Sequence, residues 1–181
     1  MNKATKGAIA AAAAGVLLLG GAGSYALWSD SQTAPGGTVT AGELRLVPVN
    51  TGQWTEVSTT GSVAPGPIAD ISAFKMVPGD VLEYDASYTV AASGNNLTAT
   101  ISASQDSIAR TNISATDTPV TVTSKIGTTD IANNAVTSAD NGKTVAVKVR
   151  LEFLSTTTGL NGQNGSVGLT NFKIDLTQTR S

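Results

Sequence analysis

DNGKTVAVKVRLEFL, residues 140–154, decides how the chain folds. Val145, Val147, Val149, Leu151 and Phe153 alternate with Ala146, Lys148, Arg150 and Glu152. Successive side chains of a strand point to opposite faces, so this spacing puts one apolar face against a core and one polar face toward water. Asn141-Gly142 stands just before it, and that pair suits the type I′ turn of a hairpin. The stretch predicts a central, half-buried strand entered through a tight turn.

The same period of two recurs on both sides of it. In ELRLVPV, residues 43–49, Leu44 and Leu46 share one face while Glu43 and Arg45 share the other. Pro48 has no N–H to donate and ends the regular ladder, so 43–47 reads as a first core strand. In MVPGDVLEYDASYTV, residues 76–90, Pro78-Gly79 supplies a turn, and Leu82, Tyr84, Ala86, Tyr88 and Val90 then face one way. After the polar cluster Ser93-Gly94-Asn95-Asn96 the alternation resumes with Leu97, Ala99, Ile101 and Ala103, so these two runs read as a hairpin. Val120 and Val122 mark a shorter strand. At the C-terminal end Phe172, Ile174 and Leu176 share a phase that Val167 and Leu169 miss by one step, which predicts a β-bulge near Thr170 or Asn171. No stripe of helical period stands out between these strands. Strands with one wet face and loop-rich connections imply an all-β domain, two antiparallel sheets packed as a jelly-roll-like sandwich over residues 42–181.

Composition narrows the chemistry. Only 13% of the 181 residues are charged, and the chain contains no histidine and no cysteine. That removes the commonest general base, the commonest transition-metal ligand, thiolate nucleophiles and every disulfide. A Ser-His-Asp triad is impossible, no GxSxG elbow occurs, and the expectation is a protein that is not an enzyme and uses no cofactor.

The first 26 residues have a different character. Lys3 and Lys6 precede an Ala/Leu-rich run from about Ala8 to Ala22, and Ser24-Tyr25-Ala26 places small residues at positions −3 and −1 to a cut after Ala26. This is the layout of a secretory signal helix, and the run is shorter than the ~20 residues needed to span a bilayer. Cleavage between Ala26 and Leu27 removes both lysines and no acid, leaving an acidic exported domain. It has no basic patch for nucleic acid and meets a membrane only before processing.

The new N-terminus, residues 27–41, lacks strong alternation and contains Pro35-Gly36-Gly37. Extended, residues 27–38 reach roughly 40 Å. Leu27, Trp28 and Val39 are its apolar anchors, and Leu27 and Trp28 are worth roughly 1.5–3 kcal/mol each when fully buried. The segment is a candidate donor strand.

These elements resemble the exported biofilm-matrix fibre proteins of the TasA and camelysin type. The resemblance is carried by GGAGSYALWSD (20–30), VTAGELRL (39–46), MVPGDVLEYDASYTV, VAVKVRLEF (145–153) and VGLTNFKIDL (167–176), in that order. It implies an alternate signal peptide cut by a signal peptidase of the SipW type, a jelly-roll-like domain, and extracellular fibres built by donor-strand exchange. In such exchange the N-terminal segment of one subunit completes a sheet of the next. It further implies self-association as the main partnership and an anchoring or nucleating surface protein. Camelysin-like proteins have been labelled metalloproteases, but without histidine this chain has no HExxH motif. A secreted monomeric module that binds polysaccharide through Thr-rich strand faces, as in TATISAS and TVTS, is the alternative. Two further constellations have bland readings: Glu83 and Asp85 as solvated charges rather than a cation site, and Lys148 and Lys173 on polar strand phases, where no isopeptide bond is expected.

Overall fold

The computed structural model describes residues 2–21, 29–61 and 64–179. It is mostly β-strand in antiparallel sheets, with one helix at the N-terminus, and it divides into two units, Met1–Val39 and Thr40–Ser181. The first unit contains α1 (Lys3–Gly21), which has no acidic residue in its first turn and no basic residue in its last. Among the described residues no helix is long and apolar enough to cross a membrane. Residues 29–42 form neither helix nor strand, and each is exposed.

The second unit holds β1 (Glu43–Pro48), β2 (Gln53–Glu56), β3 (Gly66–Pro67), β4 (Val81–Ser93), β5 (Thr98–Ala103), β6 (Ala109–Thr111), β7 (Val120–Ile126), β8 (Thr129–Asp130), β9 (Ala135–Thr137), β10 (Thr144–Glu152), β11 (Ser166–Gly168) and β12 (Ile174–Gln178). The large sheet has the order β3-β2-β4-β10-β7-β8, with β1 pairing β4 beyond β2. A three-stranded sheet has the order β12-β5-β9, and β11 pairs β6 in a small third sheet.

β10 is central, between β4 and β7, and its inward residues Val145, Val147, Val149 and Leu151 are all 1% exposed or less. The long alternation in β4 buries Leu82, Ala86 and Val90 and half-buries Tyr84 and Tyr88. One core cluster draws on Val90 and Val147 from the large sheet and on Ala99, Ile101 and Val136 from the three-stranded sheet. Without disulfides, this shared apolar contact is the main favourable term holding the unit.

Three local expectations are corrected by how strands compete for neighbours. β4 and β5 do not form a hairpin. β1 and β10 already occupy the two edges of β4 next to the turn, so the chain crosses at Gly94 into the other sheet, where β5 pairs β9 and β12. The Asn141-Gly142 turn is type II rather than type I′: Asn141 has φ −55° and ψ 130°, Gly142 has φ 77°, and the Lys143 N–H donates to the Asp140 carbonyl at 3.0 Å. It links β9 in one sheet to β10 in the other, so no hairpin twist selects the mirror-image form. The turn is stitched to β4 instead, with the Ala92 N–H donating to Asn141 Oδ1 at 2.9 Å and the Gly142 N–H to the Val90 carbonyl at 2.7 Å. The phase break before Phe172 is not a bulge. β11 and β12 are separate strands in different sheets, joined by a turn that the Phe172 N–H closes on the Leu169 carbonyl at 3.1 Å.

The short 3-10 helix Ser138–Asp140 leading into β10 begins with a capping box, Thr137 Oγ1 accepting from the Ala139 N–H while Asp140 Oδ2 accepts from the Thr137 N–H. Burial pushes the Asp140 carboxyl up, but the Thr137 N–H and the Lys143 ammonium, 2.9 Å away, outweigh it and hold its pKa below 3.8. A carboxylate with a lowered folded pKa stabilises the fold above its unfolded pKa and loses that contribution as pH falls through the folded value. Asp140→Ala is therefore expected to cost about 1 kcal/mol at neutral pH. The difference should shrink to nothing in acid well below pH 3.8, as read from urea melts of both proteins across pH.

Candidate strand-accepting edge

The sheet edges differ in how well their backbone groups are satisfied. On β7 the Ser124 carbonyl accepts from the Ile131 N–H at 2.8 Å, the Val122 carbonyl accepts from Asn134 Nδ2 at 2.8 Å, and β8 covers the rest of the run to Ile126. β2 is covered by β3. β9 is only three residues long. These are the ways in which proteins blunt an edge.

β1 and β12 are different. Each pairs on one side alone, β1 with β4 and β12 with β5. The Val49 N–H donates to the Ser87 carbonyl at 2.9 Å, which sets the alternation so that Leu44 and Leu46 turn their N–H and C=O groups away from β4. On β12 the Thr179 N–H donates to Thr98 O at 2.9 Å and the Ser104 N–H to Lys173 O at 3.0 Å. Ile174, Leu176 and Gln178 therefore point their backbone groups outward. β1 carries Pro48 and the Glu43–Arg45 ion pair (3.1 Å) along its edge, whereas β12 carries neither proline nor lysine. β12 is the least defended edge among the described residues.

The same flank is only half covered. Leu44, Leu46, Tyr88, Phe172, Ile174 and Leu176 pack on the core but stay partly exposed. Trp54, Tyr84 and Phe172 form a ring cluster with centroids 5.3–5.9 Å apart, tying β2 and β4 to the entry of β12. Gly52 lets the chain cross the Tyr84 ring, since a Cβ there would lie 1.9 Å from Tyr84 Cζ. Desolvation between the sheets, with the Tyr84 hydroxyl beside it, pushes Tyr88 up to about 12. Cα atoms of β1 and β12 come within 8 Å without a ladder between them. Two strand spacings need about 9.6 Å, so no strand fits between them.

No family model matches this chain, and neither a curated protein nor a solved structure does.

Of the residues singled out in the sequence, Ala26, Leu27 and Trp28 lie outside the described residues. Val39 is 96% exposed and in no strand. Glu83 and Asp85 do not face each other across an empty space: Lys148 bonds Glu83 and lies 3.3 Å from Asp85, and Arg150 reaches Glu83 at 3.3 Å. The Glu83 carboxylate accepting this hydrogen bond, with Asp85 close by, raises the Lys148 pKa against the effect of burial. Lys148 and Lys173 are both solvent-accessible. Among the described residues no group of three or more His, Cys, Asp or Glu side chains converges on a metal position. The unpaired edge of β12 gave no sequence signal of its own, because IDLTQ reads the same whether its outer side is paired or bare.

Proposed function

We propose that this protein is an exported structural subunit of extracellular fibres, cut after Ala26 and joined copy to copy by its own N-terminal segment. The observation that carries the reading is the outer edge of β12, unpaired among the described residues and flanked by half-covered apolar side chains, in a chain whose residues 29–42 form no strand. In this reading the two larger sheets form a jelly-roll-like sandwich whose three-stranded sheet gains a fourth strand from a neighbour. Main-chain hydrogen bonds to Ile174, Leu176 and Gln178 supply affinity, and side chains at alternate positions of the incoming segment supply register, the usual division of labour in strand addition. Leu27, Trp28 and Val39 are the anchors offered. The resemblance to TasA-type matrix proteins supports the same reading, with a SipW-type signal peptidase as the processing partner and a surface protein as nucleus.

An N-terminal extension tests it. Protein beginning at Leu27 is expected to form filaments visible by electron microscopy, while the same protein with an added N-terminal tag stays monomeric because the leading end cannot seat. Filaments from both would overturn the donor role. Retention on insoluble polysaccharide by protein that never polymerises would favour a monomeric binding module.

A further inference from the structure

The core cluster shared with the three-stranded sheet ends at Val90 on β4 and Val149 on β10. Leu82, Leu151 and Phe153 continue the inner face of the large sheet and are 1%, 0% and 4% exposed, but they lie outside the cluster shared with the three-stranded sheet. They line a pocket together with residues from 71–78, with Ile113 and Thr118, and with residues from 157–170, a stretch that includes β11. The pocket has a volume of about 830 Å³. Close-packed interiors tolerate few voids beyond the size of a water molecule, and this volume falls in the roughly 300–1,000 Å³ range of small-molecule sites.

The walls are held in place by hydrogen bonds. Asp70 Oδ1 accepts from the Ser72 N–H at 2.8 Å, and Asp80 Oδ2 from the Val77 N–H at 2.8 Å. The Gly79 N–H donates to Phe153 O at 2.7 Å, and Thr157 Oγ1 to Asp117 Oδ1 at 3.0 Å. The lining combines apolar side chains with neutral amides and hydroxyls, and its one charged residue, Lys75, is exposed. It includes no carboxylate, tryptophan or tyrosine, the groups with which a protein usually stacks on and hydrogen-bonds a sugar. In an acidic protein, a pocket that combines half-buried apolar side chains with a single cation suits a ligand of matching polarity.

We propose that this cavity binds a free long-chain carboxylate, with its alkyl chain against the half-buried Phe74, Met76, Ile113 and Leu169 and its head at Lys75. The site is separate from the β12 edge and stands whether or not the chain forms fibres. Calorimetric titration of the full chain with sodium laurate, below its micellar concentration, and with decanol tests it. One laurate per chain is expected. Lys75→Glu should weaken laurate roughly three- to tenfold, the span for turning an exposed attraction into a repulsion, and leave decanol unchanged. Met76→Trp, which places bulk in the lining, should weaken both. Absence of saturable laurate binding, laurate affinity unaffected by Lys75→Glu, or saturable binding of a neutral oligosaccharide displaced by Met76→Trp would overturn the proposal.

Discussion

Processed protein lacking residues 27–38 is expected to keep its fold and to form no filaments. The structural half of this outcome follows from the ladders. Residues 29–42 pair with no strand, and the compact unit begins at Thr40, with its first strand at Glu43. The deletion therefore removes no described backbone pair of the sheets, and the far-ultraviolet spectrum and urea midpoint should match those of the intact domain. The assembly half follows from the proposed function: without the incoming segment, the outward groups of Ile174, Leu176 and Gln178 meet only water. Electron micrographs showing unchanged filaments from the truncated protein would end the donor-strand idea. Gln178→Pro asks the complementary question about the acceptor. The N–H at 178 points away from β5, so proline removes a donor from the outer side and none from the protein's own ladder. Loss of one such bond is worth about 0.5–1.5 kcal/mol, and polymerisation should need correspondingly higher protein concentration while the monomer's melting is little changed.

The second large effect is on stability. Ile101→Ala is expected to cost 2–5 kcal/mol, read from the shift of the urea midpoint at constant slope. Ile101 is 1% exposed on β5 and belongs to the cluster that includes Val90, Val136 and Val147. Truncating it loses transfer free energy and leaves a cavity between neighbours held by two different sheets, which have little freedom to collapse around it. Domains of this size have about 5–15 kcal/mol in all, and this one has no disulfide to limit the unfolded chain. Val39→Ala is the control. At 96% exposure it should shift stability by no more than about 0.5 kcal/mol in either direction. A loss below about 1 kcal/mol from Ile101→Ala would mean that the two sheets do not depend on a common core.

What the sequence by itself determined is where the long strands lie and which side of each is buried. Val145 to Phe153, Leu82 to Val90 and Leu97 to Ala103 carry a period of two, and that period maps directly onto two faces. It also placed Lys148 and Lys173 on wet faces. Who pairs with whom lay beyond it. Backbone hydrogen-bonding groups are chemically alike along every strand, so neighbours are chosen by competition for edges across the whole unit. β1 and β10 took both sides of β4, which sent β5 to another sheet and made the Asn141-Gly142 turn a crossover in place of a hairpin. β2 escaped notice because QWTE is short and polar, although Glu56 ends up 5% exposed with its Oε1 accepting from the Ser58 N–H at 2.7 Å. The unpaired edge at β12 and the pocket beside Phe74 and Met76 are likewise products of where strands stop. An edge or a void is defined by an absent neighbour, and only tertiary structure decides which neighbours are absent.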